Sequence, residues 1–391
     1  MKKFSTYIFF VLLAALASAQ VRYQQVLVQL ENQSPLFTSL HQKMEAEQSS
    51  VMAGSLLNDP EVELAYFWGT PSGTGNRWDL GVSQEFDFPT AYTHRKRIRS
   101  LLKANAEIDY KQQRMELLIE AQQLCADIVY YRSLCQFYSK CVAIADSLEM
   151  LFQRRFEEGD CNILEYNRVM LEASDTRNKL NMAEAEYKML QQELVTLNGG
   201  NAIECNLTHY EPIQLPADFE AWYNDVEKDH PALLSANNKL EVSESEVRLT
   251  RAERLPHFSA GYASENEYGE AFRGVKVGVS LPLWQNRGQV QRAKAEQQLA
   301  KVELETAQSS LKNRMKGLYN KAMALTENVS RLEQTFDQFG DTQLLRKAYE
   351  SGEIPLQYYL EGIEFYNDAK ASLLEVQREL EHVVIELFAL R

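Results

Sequence analysis

The chain has 391 residues, 45% hydrophobic and 25% charged, with 17 glycines and 10 prolines; this balance excludes a loop-rich β protein and favours long helices in one large or two ordinary domains. A formal net charge of −14 excludes a general nucleic-acid binder and suits cations or basic partners. The five cysteines, at 125, 135, 141, 161 and 205, are odd in number and irregular in spacing, so they form no disulfide framework and read as small buried apolar residues.

Residues 1–19 read as a secretory signal peptide. Lys2 and Lys3 form a positive start, residues 8–15 an apolar core, and Ala17-Ser18-Ala19 the cleavage site. The core is about half as long as a spanning helix needs. No Cys follows the site, so a lipid-anchored start is not expected. The mature chain is expected to begin near Gln20, and the loss of two lysines takes the charge from −14 to −16. No later stretch reaches about 18 uncharged apolar residues, which excludes a transmembrane helix but not a β-barrel.

From there the chain is written twice. Pro35 corresponds to Pro231, Lys43 to Lys239, Glu45 to Glu241, Pro60 to Pro256 and Tyr66 to Tyr262; Gly81-Val82-Ser83 corresponds to Gly278-Val279-Ser280 and Gly159 to Gly352. The order never changes, so each unit is one duplicated block, far longer than a solenoid repeat. The expected organisation is a first repeat over 20–200, a linker over 201–229 and a second repeat over 230–391.

Each repeat begins with a helix started by Pro, over 35–57 and 231–254. Two strands follow. Val62, Leu64, Tyr66 and Trp68 alternate with Glu63, Ala65 and Phe67, and then Trp78, Leu80, Val82 and Phe86 alternate with Asp79, Gly81, Ser83 and Glu85. Phe258, Ala260 and Tyr262, then Val275, Val277, Val279 and Leu281, repeat the pattern. A period of two gives strands with one apolar face. The stretches GTPSGTGNR and SENEYGEAF read as polar hairpin loops; no helix follows the GTG directly, so it is a turn and not a phosphate loop.

A very long helix follows, over 90–156 and 286–350. Leu304, Leu311, Leu318, Leu325, Leu332 and Phe339 stand seven apart, as do Leu117, Leu124, Tyr131, Tyr138, Ala145 and Phe152. Such heptads signal a coiled coil about 100 Å long. Each long helix ends at a similar break. Phe156 or Tyr349 stands three places before Gly159 or Gly352, and Asp160 or Glu353 follows. The Gly closes one helix, and Asn162 or Pro355 favours starting the next, over 162–197 and 355–390. The breaks are therefore expected to be the tips of two helical hairpins.

Four short strands cannot close a barrel. Three chains would supply twelve strands, apolar outside and polar inside, on a tube of coiled coils. In this order of elements the chain resembles the TolC-type outer-membrane efflux protein family. The residues that carry the resemblance are the Pro-started helices (SPLFTSLHQKMEAE, HPALLSANNKLEVSESEV), the strand-to-helix passages (LGVSQEFDFPTAYTHRKR, VGVSLPLWQNRGQVQRAKA) and the tips (RRFEEGDCNILEYNRVMLEA, RKAYESGEIPLQYYLEGIEFYNDAKASL).

The resemblance implies an α+β, mostly helical fold: a homotrimer with a 12-stranded barrel in outer-membrane lipid and a helical periplasmic tunnel. It also implies docking to a periplasmic adaptor and an inner-membrane transporter of resistance-nodulation-division or ABC type. The family's acidic constriction falls on Tyr358 and Glu361, with Glu364 sharing that helical face. Glu361 is the expected ring residue, and the Tyr departs from a two-ring arrangement; a solvated helix face is the plainer reading. Tyr349 matches the family's tip aromatic, with simple packing as its alternative. Phe156, Gly159, Asp160, Tyr349, Gly352 and Glu353 are the expected adaptor-docking tips.

The function implied is a passive exit duct of a tripartite pump for small molecules or metal ions. A protein-secretion duct of the same fold, or a periplasmic coiled-coil adaptor, are the alternatives. No enzyme, cofactor or metal site is expected. The six His residues are scattered, and there is no nucleophile elbow or P-loop. Residues 198–229, and the N-terminal VRYQQVLVQLE, are expected to pack around the waist of the tube.

Overall fold

A computed structural model describes residues 23–53, 57–71, 73, 75–267, 270–282 and 288–388. The signal-peptide segment and part of the second strand-to-helix passage lie outside the described residues.

The elements run α1 (Gln24–Gln33), α2 (Pro35–Met52), β1 (Glu61–Trp68), β2 (Asn76–Phe86), α3 (Pro89–Glu157) and α4 (Ile163–Leu197). Then come α5 (Phe219–Asp229), α6 (Pro231–Ala252), β3 (His257–Glu267), β4 (Glu270–Ser280), α7 (Gln289–Phe339), α8 (Thr342–Glu350) and α9 (Leu356–Phe388). Among the described residues no helix is long and apolar enough to cross a membrane.

One compact unit comprises residues 41–112 and 227–311. Its strands form one antiparallel sheet in the order β1-β2-β3-β4, so the two repeats meet along β2 and β3. The register puts Leu64 beside Leu80, Tyr66 beside Trp78, Val82 beside Tyr262, and Tyr262 beside Val275. The alternating apolar positions named above therefore fall on one face, because side chains alternate across a strand, while Phe67 and Phe272 lie on the other. The apolar face is open: Leu64 is 71%, Val277 76% and Val275 81% exposed. The other face carries Glu63, Asp79, Glu265 and Lys276, and there Arg77 bridges Asp79 (2.9 Å) and Glu265 (3.1 Å). Gly261 packs so close to β2 that a Cβ would lie 2.4 Å from the Val82 carbonyl oxygen.

The passage from β2 to α3 is pinned by buried Asp87. Its carboxylate accepts from Arg95 and meets His257 Nδ1 at 2.7 Å, and its N–H donates to the Tyr92 hydroxyl at 2.8 Å. Arg95 also reaches Glu253 at 3.1 Å. At the start of α6 the His230 ring accepts from the Ala232 N–H (3.1 Å) and Pro231 follows, so both ends of the first-turn logic are met.

The second unit comprises residues 23–40, 113–226 and 312–388. Its core gathers Leu30, Phe37, Ile128, Val129, Leu194 and Ile385. Tyr23 packs there and donates to buried Glu381 at 3.1 Å, which anchors α1. Ser34 joins the end of α4 to the start of α2: its hydroxyl donates to the Leu197 carbonyl (2.6 Å) and accepts from the Leu36 N–H (3.3 Å). The sevenfold pattern is present, but on α7 the named leucines are half-buried and the residues four places after Leu311, Leu318 and Leu325 are the buried ones. Met315, Ala322 and Val329 on α7, and Ala121, Leu124, Ile128, Ala145 and Phe152 on α3, are buried.

Three details differ from the sequence reading. The second long helix is broken, because α7 ends at Phe339 and α8 starts at Thr342. Gly340 permits the stop and Asp341 caps α8, accepting from the Gln343 N–H at 2.9 Å; Phe339, the last heptad member, is left exposed. The linker contains a helix, α5, whose Phe219, Trp222, Tyr223 and Val226 are buried at helical spacing. The stretch SENEYGEAF is mostly strand, since residues 264–267 pair with 270–273.

Candidate functional site: the hairpin tips

Both breaks are built alike. At the first, Gly159 has φ +79°, its N–H donates to the Phe156 carbonyl (3.2 Å), and the Asp160 N–H donates to the Arg155 carbonyl (2.7 Å). At the second, Gly352 has φ +78°, its N–H donates to the Tyr349 carbonyl (3.0 Å), and the Glu353 N–H donates to the Ala348 carbonyl (2.8 Å). These paired bonds satisfy the last free carbonyls of α3 and α8, and the left-handed residue between them favours Gly. So the aromatic, the Gly and the acid are successive parts of one capping motif. The next helix then begins at Asn162, whose side chain accepts from the Glu165 N–H (2.9 Å) while Glu165 accepts from the Asn162 N–H (3.3 Å). In the second tip Pro355 precedes α9.

The two tips pack on each other within one chain. Phe152, Val169, Leu356, Tyr359 and Leu360 are buried together. Phe156 stacks on Tyr166 with ring centres 4.8 Å apart, and Tyr349 stacks on Tyr359 at 5.0 Å. Burial pushes the Tyr359 phenol above its ordinary pKa. Arg155 ties the tips: it lies over the Phe152 ring and donates to the Tyr349 hydroxyl (3.4 Å) and the Asp160 carbonyl (3.2 Å).

The acidic candidates lie just behind the tips. Glu361 is half-exposed and meets Arg168 at 3.4 Å, and it also accepts from Gln357 at 2.9 Å. Tyr358 and Glu364 are exposed. Burial, and then the Glu364 carboxylate, push half-buried Glu172 above the ordinary Glu range, so these two acids from α9 and α4 are neighbours. One turn on, Lys179 bridges Asp175 (3.0 Å) and Asp368 (3.9 Å). A 310 Å³ cavity, lined by Leu148, Val169, Leu360 and Ile363 with Glu172 at its edge, lies behind the aromatic cluster. Among the described residues no group of three or more His, Cys, Asp or Glu is arranged to hold a metal ion.

The structure brings together Phe156, Tyr349 and the two capping motifs, and it sets Glu361 one turn behind them on α9. Sequence reasoning missed Arg155, Arg168 and Glu172. Arg168 had a signal, because it precedes Glu361 by the same interval that separates the two tip glycines.

The family model for the Outer membrane efflux protein matches residues 222–390. None of the curated proteins matches the chain. Several solved structures share its fold along nearly the whole length. CusC has a TM-score of 0.78 at 13% identity, over 94% of this chain and 92% of its own. VceC, an outer membrane protein of Vibrio cholerae, has 0.77 at 14%, over 96% and 97%. The MtrE outer membrane channel of Neisseria gonorrhoeae, in its open state, has 0.78 at 14%, over 94% and 88%. At such identities the likeness establishes the fold, and it is the TolC-type fold that the duplicated order of elements implied.

Proposed function

We infer that this chain, whose residues 222–390 match the outer membrane efflux protein family model and which has the TolC-type fold throughout, is the passive outer-membrane exit duct of a tripartite efflux pump. The observation that carries the reading is the sheet. It has four strands, open edges at β1 and β4, and one exposed face made mostly of apolar residues. In water such a face is unfavourable at about 25 cal/mol per Å². In lipid it is matched, provided that every strand edge is paired.

Three copies, each pairing its β1 with the β4 of the next, give twelve strands with Glu63, Asp79, Glu265 and Lys276 toward the lumen. Tyr66, Trp68 and Trp78 cluster near one end of the outer face and Phe86 and Phe258 near the other. That is the place for interfacial aromatic belts. The helical unit then forms the periplasmic tunnel, as the outer membrane channel MtrE supports by fold. The chain does no chemistry of its own; its work is to line a path and to gate it.

Within this reading the hairpin tips are the periplasmic gate. Phe156, Gly159, Asp160, Tyr349, Gly352 and Glu353 present the surface for the hairpins of a periplasmic adaptor, which links the duct to an inner-membrane transporter. Glu361, with Glu364 and Tyr358 beside it, contributes one acid per chain to a cation-selective constriction.

Single-channel recording in a planar bilayer tests the whole. Small, cation-selective steps blocked by a divalent cation from the periplasmic side are expected. A folded, purified protein that neither inserts nor conducts would overturn the reading.

A further inference from the structure

Two of the five cysteines are placed unlike the others. Cys125 sits on α3 and is fully buried; Cys205 is in the connecting segment after α4 and is 3% exposed. The Cys205 Sγ lies 3.9 Å from the Cys125 carbonyl oxygen. Both residues lie in one buried apolar cluster, and the interaction of the two thiols lowers the Cys205 pKa and raises that of Cys125.

The backbone on both sides of Cys205 is clamped to α3 and its neighbour. Arg132 donates to the carbonyls of Cys205 (2.6 Å) and Leu207 (2.7 Å), and its guanidinium also reaches the Tyr187 hydroxyl at 3.1 Å. Tyr210 donates to the Ala126 carbonyl at 2.7 Å. Ile203 is buried in the same apolar cluster as Cys125. The approach of Cys205 to Cys125 is therefore built into the fold. Cys141 and Cys161 are engaged elsewhere, with the Asn367 side chain (3.4 Å) and the Phe152 carbonyl (3.7 Å).

We propose that Cys125 and Cys205 are joined by a disulfide in the mature protein, which staples the segment between the two repeats to helix α3. The inference rests on the export reading above, because disulfides persist in oxidising compartments and not in the cytosol. The oxidant is a protein or small-molecule disulfide of that compartment. The Cys205 thiolate attacks one sulfur of the oxidant and expels the other as a thiolate, giving a mixed disulfide. Cys125 loses its proton to water and displaces the oxidant's remaining sulfur. Two electrons pass to the oxidant, and its two leaving thiolates take up the two protons that the cysteines give up, so it departs fully reduced to thiols.

Both sulfurs are sealed once Arg132 and Tyr210 have docked the segment, so the reaction belongs to folding. The link spans 80 residues and encloses the first hairpin tip and its return helix. Closing so long a loop restricts the unfolded chain. It also holds the segment through any movement of the hairpins.

The test is a thiol count on full-length protein from the outer-membrane fraction, denatured in the presence of a maleimide and weighed by mass spectrometry. Three labels without reduction and five after it are expected, with a Cys125–Cys205 linked peptide that disappears on reduction. Cys205→Ser should show four labels before and after reduction, and this readout survives poor folding because it is made on denatured protein. Five labels before reduction in protein recovered from the outer membrane would overturn the disulfide and leave the duct reading intact. A link between other cysteines would also overturn it. Recovery of the protein from the cytoplasm alone would overturn the duct reading and the disulfide together.

Discussion

Arg168 and Glu361 meet at 3.4 Å and stand 193 residues apart, the same interval as that between the tip glycines Gly159 and Gly352. Equivalent positions of a duplicated unit thus face each other. Identical copies would present two like charges there; divergence to Arg and Glu turns the contact into an attraction between the hairpins. Both side chains are nearly half exposed, so the pair contributes at most about 1 kcal/mol to folding. Its larger effect is on the potential at the tip, where Arg168 offsets part of the Glu361 charge.

Substituting either partner should therefore change divalent block in opposite directions. Glu361→Gln removes a carboxylate and should raise the blocking concentration. Arg168→Gln leaves that carboxylate uncompensated and should lower it. A change of up to about tenfold corresponds to roughly 1.4 kcal/mol of charge interaction per site. Current recordings with graded divalent cation would measure both. Unchanged block in the two variants would remove Glu361 from the constriction.

The tip glycines make a test of backbone conformation alone. A Cβ added at Gly159 or Gly352 meets nothing within 4 Å. Gly159→Ala or Gly352→Ala should cost about 1–2 kcal/mol, the price of a left-handed residue with a side chain. Gly199, also left-handed at φ +67°, is different because its Cβ would lie 2.3 Å from Pro35 Cδ. Gly199→Ala should therefore cost more and loosen the start of α2. Denaturation of the three variants under one condition would rank them, and equal losses would refute the steric part of the argument.

Much of this was legible in the sequence, and the exceptions have physical causes. The strands, the Pro-started helices and the two breaks are local signals, fixed by period and by Gly, Asn and Pro. The α7–α8 break was hidden because the sevenfold series runs on to Phe339, and only Gly340-Asp341 marks the stop. Helix α5 was hidden by its 11-residue length, although Phe219, Trp222, Tyr223 and Val226 already had helical spacing. Arg155, Glu172 and the Cys125–Cys205 contact were not legible. Each depends on how one segment is set against another, and the segment carrying Cys205 has no periodicity to fix its register.

Glu172 gives the tip region a pH dependence. Burial and Glu364 raise its pKa in the folded protein, so the folded state holds that proton more tightly than the unfolded state does. Its stabilising contribution is complete below the ordinary Glu pKa, about 4.3, and is lost as pH rises through the raised value. Glu172→Gln should therefore be more stable than the parent at pH 7, and the gap should close near pH 4. Melting curves across that range would show it. A gap that stayed constant with pH would assign the change to packing in the neighbouring cavity instead.

The two faces of the sheet should respond oppositely to the same kind of substitution. Val277 lies on the apolar face at 76% exposure, and Glu63 lies on the polar face beside Gly81. If the apolar face meets lipid, Val277→Arg places a charge in hydrocarbon, at about 2–4 kcal/mol per chain near the midplane. Three chains multiply that cost, so assembly into the membrane should fall sharply. Glu63→Lys should assemble normally and shift ion selectivity away from cations, since it reverses a charge facing the lumen. Membrane-fraction yield together with reversal potentials would read both effects. Normal assembly of Val277→Arg combined with failure of Glu63→Lys would mean that the sheet faces the other way.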